Sequence, residues 1–137
     1  MIVHQASAVA YGEHGVLIEG PPGSGKSSLA LALIDRGAAL IGDDAVTLEV
    51  RDGRLWALAP PNVAGLLEVR NVGLVRLPPG SAAVALVLQF DHQAPRHLDR
   101  AETVTRAGIS LPLVRLWPDS PVLALRAEMA LSLYGLA

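Results

Sequence analysis

The stretch Gly20-Pro21-Pro22-Gly23-Ser24-Gly25-Lys26-Ser27 fits the pattern G-x-x-x-x-G-K-[ST] at every fixed position. Its surroundings make it constraining. Val16-Leu17-Ile18, just ahead, is a short aliphatic run that reads as a strand. Ser27–Arg36 reads as a helix of strong formers (Leu29, Ala30, Leu31, Ala32, Leu33) that stops at Gly37. A strand, a glycine-rich loop and a helix in succession require a sheet and a helix layer, so the chain is α/β or α+β. The glycines let backbone N–H groups turn inward as an anion-binding nest, where the helix N-terminus adds its partial positive charge. Gly20, Pro21, Pro22, Gly23, Ser24, Gly25, Lys26, Ser27 and Ser28 are therefore the candidate nucleotide-binding residues. Lys26 suits the β- and γ-phosphates, and Ser27 offers a hydroxyl to Mg²⁺. The plainer alternative is a glycine-rich turn that only caps a helix. Against it stands a count: Lys26 is the one lysine, beside ten arginines. A compact ammonium is kept where a broad guanidinium does not fit among phosphate oxygens.

Composition narrows the class further. The chain has 137 residues, enough for one domain with a real core. It is 51% hydrophobic but only 4% aromatic, so that core is aliphatic. A formal charge of -2 and a pI near 6.0 supply no basic field for nucleic acid. Cysteine is absent, which excludes disulfide scaffolds and thiolate metal sites and fits a reducing cytoplasm. The N-terminus has neither the cationic nor the apolar region of a secretory signal. Mean hydropathy is +0.40, yet the longest apolar runs, Leu29–Ile34 and Ala82–Leu88, fall far short of the ~20 residues a spanning helix needs. No membrane role is expected.

Proline pairs at 21–22, 60–61 and 78–79 mark loops. Leu40-Ile41 begins a strand ending at Asp43-Asp44. Val46–Val50 and Leu55–Leu58 flank an Asp52-Gly53 hairpin signal. Leu66–Arg70 and Val72–Leu77 read as strands, and the wholly apolar Val84–Phe90 as a central one. The polar stretch 91–106 carries no clear pattern. Leu111–Trp117 reads as extended. Asp119-Ser120-Pro121 then opens a last helix reaching Tyr134, with Pro121 in its first turn. That helix is apolar almost all round, so it is either deeply packed or a contact between copies.

A phosphate-binding loop needs acidic partners, and two strand ends offer them. Adjacent carboxylates at Asp43-Asp44 repel each other unless a cation sits nearby, and one of them suits proton transfer from an attacking hydroxyl. Asp91, after Val84–Phe90, is the other candidate and reads as a surface acid. Glu68 and Arg70 share a strand face, as a surface ion pair or with Glu68 as a metal ligand. His4 precedes the loop by one strand pair and by itself reads as structural; His14, His92 and His97 read as surface residues.

Taken together, the chain resembles the catalytic domain of the HPr kinase/phosphorylase family. His4 matches the family's histidine before the loop, and Gly15–Gly20 with Pro22–Ser27 its strand and phosphate loop. Leu31–Gly37 with Asp43-Asp44 matches an "ALxLIxRGxxLxxDD" stretch. Ala59-Pro60-Pro61 and Leu66–Leu74 match "APP" and "LLEIRGLGI". Asn71 replaces a glycine of the last signature, and Ser28 an acid after the loop serine. A later arginine loop, which in the family serves dephosphorylation and inter-subunit contacts, has no clear counterpart after Trp117. The resemblance implies a short form of the family that begins at the kinase domain.

It also implies a strand-rich α/β kinase core of the HPr kinase/phosphoenolpyruvate carboxykinase type, with a loop helix and a C-terminal helix, as one domain over residues 1–137. Lys26 would bind phosphates. Ser27, Glu68 and Asp43 would hold Mg²⁺. Asp44 would be the base, with Asp43 beside it, and His4 would support the transfer site. The expected function is an ATP- and Mg²⁺-dependent serine kinase acting on an HPr-type phosphocarrier protein of the phosphotransferase system, with reverse phosphorylase activity in question. It would be cytoplasmic and a homo-oligomer, a hexamer if like the family. The rival readings are a nucleotide-binding regulatory domain without catalysis and a small-molecule kinase on the same core.

Overall fold

A long apolar strand, β9 (Ala82–Phe90), organises the computed structural model, which describes residues 1–137. Ahead of it come β1 (Ile2–His4), β2 (Ser7–Tyr11), β3 (His14–Glu19), α1 (Lys26–Asp35), β4 (Ala39–Gly42), β5 (Val46–Arg51), β6 (Arg54–Leu58), β7 (Leu66–Val69) and β8 (Gly73–Arg76). After it come β10 (Glu102–Arg106), β11 (Ile109–Leu116) and α2 (Leu123–Tyr134). β3 runs parallel to β9 along one side. On the other side, β6 pairs antiparallel at residues 82–83 and β11 pairs parallel at residues 87–90. β2 and β4 extend the sheet beyond β3, and β5 and β1 extend it beyond β6.

Curling of this mixed sheet creates two cores. Ile41 of β4, Leu48 of β5, Ala57 of β6 and Val84 of β9 meet in one cluster enclosed by strands. Leu29 and Leu33 of α1, Ala127 and Ala130 of α2, and Ile18, Leu86 and Leu88 of the sheet form the other, helix-covered one. A bulge lets β9 serve both. Gly15 pairs with Val84, but Val16 pairs with Leu86, so Ala85 is skipped and the alternation inverts. Leu136 closes the bulge by donating its N–H to the Ala85 carbonyl at 2.9 Å.

The sequence-based expectations hold for most elements. Asp52 and Gly53 both take positive φ (50° and 75°), as the expected tight hairpin requires. Helix α1 ends in a Schellman motif, with Gly37 at φ 111° and Ala38 N–H donating to the Leu33 carbonyl. One stretch that carries no clear sequence pattern gains a structure, and one expectation needs correction. The stretch 91–106 contains a strand, β10, recruited by pairing with β11. The last helix starts at Leu123, not at Pro121, because the Ser120 hydroxyl and carbonyl take the Val122 and Leu123 N–H groups in a separate turn. Nor is α2 deeply packed: only Ala127 and Ala130 are buried, while Met129 and Leu133 stand 66% and 74% exposed. No helix is long and apolar enough to cross a membrane.

Candidate functional site

β3 delivers the chain to the glycine loop between the sheet and α1. Gly23 and Gly25 adopt φ values of 74° and 103°, which side chains with a Cβ avoid. Gly25 is the N-cap of α1, with no side-chain cap and no acidic residue in the first turn. The first-turn amides are thus left to an outside partner. Gly20 is required for another reason: a Cβ there would lie 2.7 Å from the Ser24 hydroxyl. That hydroxyl is buried and lacks any hydrogen-bond partner.

Lys26 is buried, and its Nζ donates to the Gly20 carbonyl at 2.8 Å, folding the side chain back along the loop. Asp44 Oδ1 lies 3.7 Å from the same Nζ. Asp43 is gripped from three sides. Ser27 Oγ donates to its Oδ1 at 2.5 Å, Ser7 Oγ donates to Oδ1 at 3.2 Å, and the Glu68 N–H donates to Oδ2 at 3.2 Å. The strand that carries the aspartates is bulged: Val9 pairs with Leu40 and Ala8 with Gly42, so Ile41 is skipped. Asp44 itself holds φ 64°, an unusual position for a non-glycine residue.

These groups line a cleft of about 600 Å³. Pro22 through Ser28, the Asp43-Asp44 pair, Glu68 and Arg70 from the β7–β8 side, and Asp119 all line it. Only two of its fifteen lining residues are hydrophobic, which suits a charged ligand and not an apolar one. Gly20 and Pro21 stay behind the lining and brace the loop through their carbonyls. Glu68 is exposed, with its backbone N–H, not its carboxylate, bonded to Asp43. No three carboxylates or imidazoles converge into a ready cation cage. The available set is a hydroxyl and a carboxylate in contact, with Glu68 in reserve. Mg²⁺ takes such a set, since it binds through one or two carboxylates plus phosphate and water. The open helix N-terminus, the orphaned Ser24 hydroxyl and the oxygen donors together fit a magnesium-bound nucleotide.

His4 and Asp91 stand outside the cleft lining. His4 Nε2 contacts Glu19 Oε2 at 2.7 Å, so it reaches the loop only through the residue preceding Gly20. Asp91 ends the strand parallel to β3, yet its carboxylate accepts the Gln93 N–H at 2.8 Å and faces Arg115 at 3.3 Å. Three residues of the site carried no pattern in the sequence. Ser7 is an isolated serine in a buried strand. Glu19 and Arg106 are 87 positions apart, but Arg106 grips Glu19 with two hydrogen bonds. Burial pushes the Glu19 carboxyl up, but the Arg106 and His4 hydrogen bonds more than offset this and hold it at about 2.

This geometry defines a class: an α/β domain built round a glycine loop, whose acidic pair comes from the strand after the loop helix and not from the parallel neighbour. The family model of the HPr Serine kinase C-terminal domain matches residues 2–83, and the chain belongs to that family. It is 45% identical over 64 residues to an HPr kinase/phosphorylase of Clostridium tetani, covering 47% of this chain and 21% of the relative. To that of Clostridium beijerinckii it is 41% identical over 86 residues, covering 57% and 28%. The matched stretch is thus between about a fifth and somewhat over a quarter of the relatives' length. The structure of the Hpr(Ser) kinase/phosphatase from Coxiella burnetii matches with a TM-score of 0.83 at 25% identity, over 96% of this chain and 95% of that one. The strand-rich α/β fold expected from the sequence is the fold of that structure.

Proposed function

We propose that this chain, as a single catalytic domain, is an ATP- and Mg²⁺-dependent serine kinase acting on an HPr-type phosphocarrier. The observation that carries the reading is the placement of Asp44 beside the Lys26 ammonium at the mouth of the glycine loop. Membership of the HPr Serine kinase family supplies the substrate class. When bound, magnesium-ATP supplies the phosphoryl group and part of the neutralising charge. The chain's own residues do the rest. The loop amides and Lys26 hold negative oxygens, and Ser27 and Asp43 present oxygen donors to the cation, with Glu68 in reserve. Asp44, 66% exposed at its side chain, is open to an incoming serine hydroxyl and takes its proton. His4 steadies Glu19 at the base of the loop and acts at one remove.

The same reading makes the chain a cytoplasmic homo-oligomer. What supports association is an apolar stripe along and beyond α2, at Val122, Leu125, Met129, Leu133 and Leu136, each more than 40% exposed. Light scattering at micromolar concentration should give a mass above one chain; a clean monomer overturns that part.

The test is intact-mass analysis of the phosphocarrier from the same organism after incubation with magnesium-ATP. Gain of one phosphoryl group on a serine, absent with Asp44→Asn, is the expected result. Nucleotide binding without transfer points instead to a regulatory domain. ATP turnover with small alcohols, but none with the carrier, points to a small-molecule kinase. Adding inorganic phosphate to the phosphorylated carrier tests the reverse reaction.

A further inference from the structure

Ser7 is fully buried, lies on β2, and makes two hydrogen bonds to consecutive residues of the site. Its Oγ donates to Asp43 Oδ1 at 3.2 Å and accepts the Asp44 backbone N–H at 3.2 Å. The two bonds define each other. The lone pair that meets the Asp44 N–H fixes the hydroxyl's rotation, and the one hydroxyl proton is left for Asp43. The backbone at Asp44 sits at φ 64°, a left-handed position that aspartate tolerates better than most residues but at a cost, and the bond to Ser7 helps to hold it there.

We infer that Ser7 is a positioning residue that sets both aspartates at once, aiming Asp43 at the cation and the Asp44 carboxylate at the lysine side of the cleft. It touches no reacting atom. It acts through Asp43, whose Oδ1 it shares with Ser27, and through the left-handed turn at Asp44. β2 thus contributes to the chemistry although none of its side chains lines the cleft. Removing the hydroxyl leaves Oδ1 with Ser27 alone and the Asp44 N–H without a partner. Asp43 then keeps only the Ser27 hydroxyl and the Glu68 N–H, and its carboxylate is less firmly aimed at the cation. Groups that orient a metal ligand in this way are worth about 10–100-fold in metal affinity. The glycine loop and its amides do not depend on Ser7, so nucleotide binding without metal is untouched.

The inference rests on the reading of Asp43 as a cation ligand, and the experiment separates the two. A fluorescent ADP analogue is titrated into the whole chain in EDTA and again in Mg²⁺, for wild type, Ser7→Ala and Ser7→Thr. Ser7→Ala, flanked by Ala6 and Ala8, keeps the wild-type melting temperature within a few degrees. It is expected to bind the analogue normally in EDTA and to lose about 10-fold of the gain that Mg²⁺ confers. Ser7→Thr, which keeps the hydroxyl, retains that gain within about 3-fold. On an Asp43→Asn background, Ser7→Ala costs nothing further. An unchanged Mg²⁺ gain in Ser7→Ala, or an equal loss in EDTA, overturns the positioning role while the functional reading stands. No Mg²⁺ gain in the wild type overturns that reading and the role with it.

Discussion

Arg106 closes a two-pronged ion pair on Glu19, with Nη2 on Oε1 at 2.6 Å and Nε on Oε2 at 2.9 Å. Glu19 is the last residue of β3 before the glycine loop, and Arg106 sits at the tip of the β10–β11 hairpin. The pair therefore ties the loop to a segment beyond the region matched by the family model. Glu19 is 7% exposed and has only Arg106 and His4 to balance its charge. Arg106→Met should leave the buried carboxylate with His4 as its one remaining partner, at a cost of about 3 kcal/mol. Urea unfolding followed by circular dichroism would read this as a lower midpoint with an unchanged slope. A loss below about 0.5 kcal/mol would mean that the pair is solvated in solution.

The same carboxyl sets an acid limit. Its folded value of about 2 lies below its ordinary 4.5, so the folded state holds the ionised form more tightly. The stabilisation is complete above about pH 4.5 and is lost as pH falls from there towards 2. The span corresponds to about 3 kcal/mol at most. Stability measured between pH 6 and 3 should fall in the wild type, and fall less steeply in Arg106→Met. Parallel curves would place the acid sensitivity elsewhere.

How much of this was legible in the sequence depends on range. The strand–loop–helix unit and the Asp52-Gly53 hairpin are written in contiguous residues, and they fold as local rules dictate. Asn71 is instructive: it stands where the family signature has glycine, and it adopts φ 68°, a conformation asparagine tolerates better than most residues. Ser7, Glu19 and Arg106 are different. Their roles come from sheet order, which sets β2 against β4 and brings the β10–β11 tip round to β3. No spacing along the chain encodes that. The α2 start also escaped, because Ser120 spends its hydroxyl and carbonyl on a turn before the helix begins.

Lys26 provides a sharper test than removal of charge. Its Nζ is 6% exposed at the side chain and folded onto the Gly20 carbonyl. An arginine keeps the charge but needs room for a planar fork that the loop does not offer. Lys26→Arg should weaken binding of a fluorescent ADP analogue at least about 10-fold, and lower the melting temperature as the buried site is overpacked. Binding within about 2-fold of wild type would show that charge alone suffices there.

Gly42 precedes the aspartate pair and leaves no space for a side chain. A Cβ on it would meet the Ala45 carbonyl oxygen at 2.4 Å and Val46 Cγ1 at 2.8 Å. The carbonyl is backbone, so relief requires the 42–45 turn itself to move. That turn carries Asp43 and Asp44 and is pinned by Ser7. Gly42→Ala should therefore cost about 1–3 kcal/mol in unfolding free energy. It should also depress phosphotransfer more than Ser7→Ala does, because it shifts both aspartates instead of loosening them. Parallel urea melts and single-turnover transfer assays would separate the two effects. A variant that unfolds early yet transfers at the wild-type rate would show that the turn tolerates movement, and that Gly42 serves packing alone.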